Sequence, residues 1–580
     1  MNKRMPTGFM ATARCRTSPG LDGAEERRLA VSLRGSGGGS RVALLSLTAV
    51  VALLLLHAGA AMAQKSTNSR PLDGLEYSVE WQSSFSDGNT PLWLNSNKYG
   101  LSSLDECNGY LRGAVERPLS VDEGRKWGIG YGVDVAIPYN YTSDIVLQQA
   151  YVEGRWWHGT LSVGSMEYPM ELKNNALSSG SQTLGKNARP VPQIRIALKD
   201  YWAIPILNRW IKIKGHIAYG KFTDSSWKED FTQGQSTYAE DVLYHSKAGY
   251  IKIGKEEDYY HFSVEMGLEM ACQFGGTTYV PNGDGTYTVY KNGSGLRAYW
   301  NAFKTGGSDV TDAGYENVEG NQLGSWLLRL NWTEDTWRVS IYADKYFEDH
   351  SGMFLLDYDG YGEGDEWDER KDNDYFLYDF KDMMLGAEVN LTYGTWLRDI
   401  VFEYLYTKYQ SGPVYHDHTQ NVSDHIGGND NYYNHGLYSS WSHWGMVMGN
   451  PLYRSPIYNS DGTLTVQNNR YMAFHLGVDG QPTEEIGYRF LATWQEGLGT
   501  YDDPYEDKEH NFSFLVEGTY TPSSRKLRGW SLVGAIGMDF GDILGDNYGF
   551  QLTIRKSGLL NFKRSKKTSQ SRYGQSFHDY

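Results

Sequence analysis

Residues 548–555 read YGFQLTIR: Tyr548, Phe550, Leu552 and Ile554 alternate with Gly549, Gln551, Thr553 and Arg555. A two-residue period puts one set on each face of a β-strand. The alternation runs on to Phe562, so the strand closes on an aromatic residue, as terminal strands of membrane barrels commonly do. The same period recurs upstream. Phe512, Phe514, Val516 and Tyr520 oppose Ser513, Glu517 and Thr519; Trp337, Val339, Ile341 and Ala343 oppose Arg338, Ser340, Tyr342 and Asp344. Ile211, Ile213, Ile217 and Tyr219 oppose Lys212, Lys214 and His216. A soluble sandwich also alternates, so the period alone does not choose a fold.

The connections choose it. About eighteen strands are predicted, centred near Val79, Gly113, Val133, Gln149, Val163, Ile196, Ile213, Gly249, Val264, Leu328, Ile341, Ala387, Glu403, Phe474, Phe490, Leu515, Gly534 and Leu552. Connections after even-numbered strands are short: Trp157-His158-Gly159, Thr333-Glu334-Asp335, Gly394 to Leu397. Most connections after odd-numbered strands are long: Ser84–Asn108, Tyr168–Val191, Lys221–His245, Gly275–Gly324, Glu348–Asp382 and Gln410–Asn468. Those after the third and seventeenth strands are the short exceptions. A transmembrane barrel sorts its loops this way, with tight turns at the periplasmic end and long loops outside. A sandwich has no reason to. The expected fold is therefore all-β, an antiparallel outer-membrane β-barrel.

The flanking segments agree. Arg41 to Ala63, RVALLSLTAVVALLLLHAGAAMA, is a basic residue, an apolar run and a small-residue site ending Ala61-Met62-Ala63. It reads as a cleaved secretory signal within an N-terminal extension covering residues 1–63. The barrel then spans 64–562, and the basic stretch 563–580 is expected to be a disordered periplasmic tail. After the signal, no apolar run approaches the roughly 20 residues a spanning helix needs. Aromatics are 14% of the chain, with 44 Tyr, 18 Trp and 66 Gly, a composition that favours sheet. The mean hydropathy of −0.55 suits a barrel, where only alternate strand residues meet lipid.

Removing the eight Lys/Arg and three Asp/Glu of residues 1–63 leaves 46 basic and 67 acidic residues, a net charge of −21. That argues against nucleic acid as a partner. Cys107 and Cys272 are the cysteines left after processing. Their spacing offers no metal motif and leaves open whether they pair.

Two sets of short motifs carry a resemblance. One is Gly164-Ser165-Met166-Glu167-Tyr168, then Leu177-Ser178-Ser179-Gly180-Ser181 and Asn187-Ala188-Arg189-Pro190. The other is Phe402-Glu403-Tyr404, then Tyr432-Tyr433-Asn434-His435-Gly436 and Gly445 to Gly449. In this order and strand context, the chain resembles the Wzi family of capsule-assembly proteins over most of its mature length. The resemblance implies an eighteen-stranded barrel that binds capsular or exopolysaccharide and supports capsule assembly at the cell surface. The founding type carries an N-terminal helical bundle. Here only about a dozen residues separate Gln64 from the first strand, too few for one.

Within the longest loop, His416, His418, His425, His435 and His443 accompany Tyr432, Tyr433, Tyr438, Trp441 and Trp444. Aromatic faces stack on sugar C–H faces, so Tyr432, Tyr433, His435, Trp441 and Trp444 are the candidate polysaccharide contacts. The alternative is that these rings pack the loop on itself and plug the barrel. Lys212, Lys214 and His216 are candidate lumen-lining residues that suit an anionic glycan, or simply line a polar interior. Asp357, Asp359, Glu363 and Asp365 lie in an acidic loop with Ca²⁺-type oxygen ligands. Tyr361 breaks the EF-hand pattern, and a solvated loop is the ordinary reading. No G-x-S-x-G or H-E-x-x-H occurs, so no catalytic residue and no cofactor is expected. The rival readings are a porin-like diffusion channel for sugars or anions and an outer-membrane hydrolase. Outer-membrane lipid and the barrel-assembly machinery are the further expected partners.

Overall fold

The structure, a computed structural model, describes residues 72–560 except 256–259, 305–308, 311–315, 318–319, 349–363, 368, 370–381 and 416–425. The expected signal segment and the basic tail lie outside the described residues. Eighteen antiparallel strands form one sheet. They are β1 (Glu76–Asp87), β2 (Cys107–Arg117), β3 (Trp127–Tyr139), β4 (Val146–Trp156), β5 (Gly159–Ser165) and β6 (Gln193–Ala203). Next come β7 (Ile211–Lys221), β8 (Leu243–Ile253), β9 (Phe262–Phe274), β10 (Asn321–Thr333), β11 (Trp337–Glu348) and β12 (Met383–Leu391). The last six are β13 (Asp399–Tyr406), β14 (Tyr471–Gly480), β15 (Ile486–Gly499), β16 (Pro504–Tyr520), β17 (Trp530–Gly541) and β18 (Asn547–Leu559). All eighteen expected centres fall inside these strands. β1 pairs with β18 from Glu76↔Leu559 to Asp87↔Tyr548, which closes the sheet and removes its edges.

The pleat is inside-out relative to a soluble protein. Along β3, Trp127, Ile129, Val133 and Ile137 are exposed, while Asp134 and Ala136 point inward and are buried. On β7, Ile217 is 43% exposed and His216 only 7%. On β11, Ile341 faces out, and Ser340, Tyr342 and Asp344 are buried. Apolar outside and charged inside is the arrangement lipid requires. Among the described residues no helix is long and apolar enough to cross a membrane; the strands cross it.

The turns after even-numbered strands carry a ring of aromatics. Trp127, Trp156 and Trp157 stack in series, Trp210 meets Tyr260, and Trp332 stacks on His261. Tyr393 and Trp396 are largely exposed. Amphipathic rings settle at the headgroup level, so this ring marks the periplasmic interface. The connections after β3 (140–145) and β17 (542–546) are short, as expected. A third odd connection, 500–503 after β15, is also short, although its flanking β16 is the longest strand at 17 residues.

The long connections turn inward as well as outward. Segments 88–106, 166–192 and 430–470 fold into the lumen and build its largest apolar core there. Leu92, Trp93, Leu177, Trp441 and Tyr453 pack with inward residues Tyr342, Val401 and Leu515 of the wall. The chain thus plugs its barrel with its own loops. Cys272 is a buried thiol outside any disulfide, so it does not pair with Cys107.

Candidate functional site

The plug is built from the segments that carried the resemblance, now brought into contact. Glu403, inward on β13 and fully buried, accepts from Ser178 Oγ (2.6 Å), from both the amide (2.8 Å) and hydroxyl of Ser179, and from Tyr342 Oη (2.6 Å). His475 on β14 meets the Leu177 carbonyl at 2.8 Å. Lys173 Nζ lies 2.6 Å from Asp344 Oδ2, with both side chains buried. These wall contacts seat segment 166–192.

Segment 430–470 lies against it. The Gly185 amide donates to Met448 O (3.0 Å), Asn187 to Val447 O (3.1 Å), and Trp441 Nε1 to Thr183 O (3.2 Å). The approach is tight enough that a Cβ at Gly185 would lie 2.6 Å from the Gly449 carbonyl oxygen. Tyr433 Oη donates to Gln182 O, and the Tyr433 amide to Glu348 Oε1 (2.6 Å). Tyr432 Oη reaches Asp382 Oδ2 at 3.0 Å.

This placement corrects the glycan assignment of three rings. Tyr432, Tyr433 and Trp441 are buried in the plug core, with Tyr433 stacked on Tyr453 (3.9 Å) and Trp441 on Tyr244 (6.1 Å). Their faces are covered by other rings, so no sugar face can reach them. His435 and Trp444 are partly exposed. The Arg189 guanidinium sits 4.3 Å over the Trp444 ring. His416, His418, His425, Asp357, Asp359 and Glu363 lie outside the described residues. Asp365 is exposed in a single turn, Gly364–Glu366. The described residues contain no cluster of metal-type ligands.

Between segment 166–192 and the wall of β6–β9 lies a small cavity of about 80 Å³ that opens to solvent. Tyr168, Tyr244, Tyr250, Gln193, Arg195, His216 and Glu269 are among its lining residues. His216 is held by Ser246 Oγ (3.2 Å), Glu269 by Tyr250 Oη (2.7 Å). Lys214 pairs with Glu171 (2.7 Å), and Lys212 is half-buried beside it on β7. Two groups stand apart. The Arg195 guanidinium lies 4.0 Å over the Tyr168 ring and has no hydrogen bond or ion pair with a described residue. The Gln193 side-chain oxygen is buried without a donor. The cavity therefore offers an unpaired cation and aromatic walls, with a buried, unused acceptor in its lining. Sequence reasoning missed Arg195 and Gln193, and displayed Glu403 within a motif without assigning it a role. The alternation of β6 does place Gln193 and Arg195 inward, opposite Ile194 and Ile196.

The two described plug histidines are neutral, and His443 has both ring nitrogens engaged. His435 Nδ1 accepts from the Leu437 amide (3.0 Å), and burial pushes its pKa down to about 4. His443 Nε2 accepts from the Thr223 amide (3.2 Å) and its Nδ1 faces Arg189 O (2.8 Å); burial pushes its pKa down too. A depressed folded-state pKa means the unfolded segment binds more protons below about pH 6.5, so plug stability falls as the pH drops from there towards 4. At about 1.4 kcal/mol per unit, His435 alone contributes a few kcal/mol. Protection factors of 430–470, corrected for the intrinsic exchange rate at each pH, should therefore fall at pH 4.5 relative to pH 7 while those of the strands are kept. In a His435→Asn/His443→Asn chain this fall should shrink; an unchanged profile would show that other groups set it.

Among solved structures, the chain is similar to Wzi of Escherichia coli, described as an outer-membrane protein involved in group 1 capsule assembly and a carbohydrate-binding β-barrel. The identity is 13% over 83% of this chain and 85% of that one, with a TM-score of 0.48. It is also similar to OccK3 (OpdO) of Pseudomonas aeruginosa, at 10% identity over 84% and 96% of the two chains, with a TM-score of 0.40. OccAB4 of Acinetobacter baumannii gives 9% identity, 85% and 100% coverage, and a TM-score of 0.40. No protein-family profile matches the sequence, and no curated protein matches it. At these identities the likenesses concern architecture alone.

Proposed function

We propose that this barrel is a surface-polysaccharide-binding protein of the Wzi type, which holds capsular or exopolysaccharide at the outer membrane without altering it chemically. The observation that carries this reading is the cavity beneath the plug, with Arg195 unpaired and Gln193 O unused against tyrosine walls. A carboxylated sugar supplies what those groups lack: an anion for the guanidinium and a hydroxyl donor for the amide oxygen. The ordered, hydrogen-bonded plug suits a binding protein, because it fixes the cavity wall before the ligand arrives.

Isothermal titration of the purified full-length protein with uronate-containing and neutral oligosaccharides tests it. The acidic glycan should bind, its mass should be unchanged after incubation, and Arg195→Gln should weaken binding about tenfold or more, since one charge-assisted bond is worth about 1.5–3 kcal/mol. No binding by the intact protein would overturn the reading. In cells, deletion of the gene should move capsule from the pellet to the supernatant at constant total.

One observation favours a channel instead. Arg195 and Lys199 of β6 and Lys212 and Lys214 of β7 form an inward row of basic residues on the lumen wall, with Lys199 paired to Glu153 and Lys214 to Glu171. Steady single-channel openings of the wild-type protein in a planar bilayer would favour that reading.

A further inference from the structure

One segment of the long connection 275–320 leaves the lumen and packs on the outside of the barrel. It is the helix Leu296–Lys304, and its place follows from the pleat. On β9 the outward register runs Phe262, Val264, Met266, Leu268, Met270, Cys272, Phe274. Phe262 and Met266 are exposed, whereas Met270, Cys272 and Phe274 are buried. The helix covers Cys272 and Phe274. Ala298 and Ala302 pack against Cys272 and Phe274. Phe274 meets the Tyr299 ring edge-on at 5.1 Å, and Tyr219 Oη donates to Tyr299 O (2.9 Å). Lys247, outward on β8, donates to Phe303 O and lies 5.1 Å over the Phe303 ring. Tyr219, Lys247, Cys272 and Phe274 all belong to the lipid-facing set of their strands.

The opposite side of the helix is uncovered. Leu296 is 91% exposed and Trp300 60%, with Trp300 stacked on Phe303 at 5.5 Å. At 100° per residue, Tyr299, Phe303, Leu296 and Trp300 form one apolar sector. Arg297 and Lys304 fall together on its flank; both are exposed, and neither makes an ion pair with a described residue. The height is also telling. Ten residues separate Phe262, near the periplasmic aromatic ring, from Cys272, which the helix covers. At about 3.3 Å per residue and about 40° of tilt, that is roughly 25 Å. An outer-membrane barrel's apolar band is about 25 Å tall, so the helix lies near its outer edge.

We propose that the helix Leu296–Lys304 is an interfacial anchor that binds a phosphorylated glycolipid of the outer leaflet. Leu296, Trp300 and Phe303 enter the acyl region, and Arg297 and Lys304 pair with lipid phosphate. The apolar sector continues the lipid-facing wall, and flanking cations are the complement of an anionic headgroup.

The test is photo-crosslinking in intact cells with Trp300→p-benzoylphenylalanine, and with Asp284→p-benzoylphenylalanine as control, at the exposed tip of the hairpin formed by Thr277–Pro281 and Tyr287–Lys291. The expected result is an adduct detected by anti-lipid A antibody at position 300 and not at 284. Arg297→Ser/Lys304→Ser should lower its yield several-fold. A yield at 300 no higher than at 284, an adduct with phospholipid alone, or an adduct of twice the chain mass that marks a second copy, would each overturn the proposal. Because the helix packs outside the barrel, unchanged heat-modifiable mobility in gels certifies that each variant is folded.

Discussion

Glu403→Ala is expected to unseat the plug and turn the barrel into a conducting pore. One buried carboxylate satisfies four donors: the Ser178 hydroxyl, the Ser179 amide and hydroxyl, and the Tyr342 phenol. Alanine leaves all four in a site with no water route shown by their burial. Each buried donor left unpaired costs about 1–3 kcal/mol, and hydrogen bonds to a charged group are the stronger kind. Even with strong non-additivity, a loss of about 4 kcal/mol or more in plug docking follows. The closed barrel has its own ladder of backbone bonds and should survive, visible as unchanged heat-modifiable mobility. Planar-bilayer recording should then show large openings absent from wild type, and protease should cut within 166–192. Glu403→Gln keeps one acceptor and should give an intermediate phenotype. Silence of Glu403→Ala in the bilayer, with wild-type protease resistance, would mean that the plug is seated by other contacts.

The second large effect concerns the buried pair Lys173–Asp344. Asp344 Oδ2 also accepts the Gln182 amide (3.1 Å), so it ties two parts of segment 166–192 to β11. Removing either partner alone strands a charge out of water, which typically costs about 3–5 kcal/mol. Removing both in favour of apolar side chains of similar size removes the stranded charge as well. Asp344→Leu and Lys173→Met should each lower the melting temperature and speed exchange across 166–192. The double variant Lys173→Met/Asp344→Leu should recover much of that loss. If the double variant is as damaged as the two single losses added together, the pair is not coupled in the way its 2.6 Å geometry implies.

The two predictions touch residues that the sequence displays but cannot connect. Phe402-Glu403-Tyr404 and Leu177-Ser178-Ser179 are both visible as motifs, yet they lie more than two hundred positions apart. Their spacing carries no signal that one caps the other. Tyr432, Tyr433 and Trp441 illustrate the same limit from composition. A Tyr- and Trp-rich loop suits sugar stacking and suits self-packing equally well. Which holds depends on whether a ring face is covered, and here Tyr453 and Tyr244 cover Tyr433 and Trp441. Arg195 shows the reverse case. Alternation with Ile194 and Ile196 places it in the lumen, but only the three-dimensional arrangement leaves it unpaired while Lys214 finds Glu171.

The barrel was legible because its determinants are local. A two-residue period assigns every strand residue to lipid or lumen, and loop length sorted by strand parity assigns each end of the barrel to a side of the membrane. Both can be counted along a single chain, and the eighteen strands with their inside-out pleat follow from them. The plug, the cavity and the helix outside β8 and β9 are decided by contacts between distant segments. There the energy lies in which buried donor meets which acceptor, and that pairing exists only once the sheet has closed around the loops.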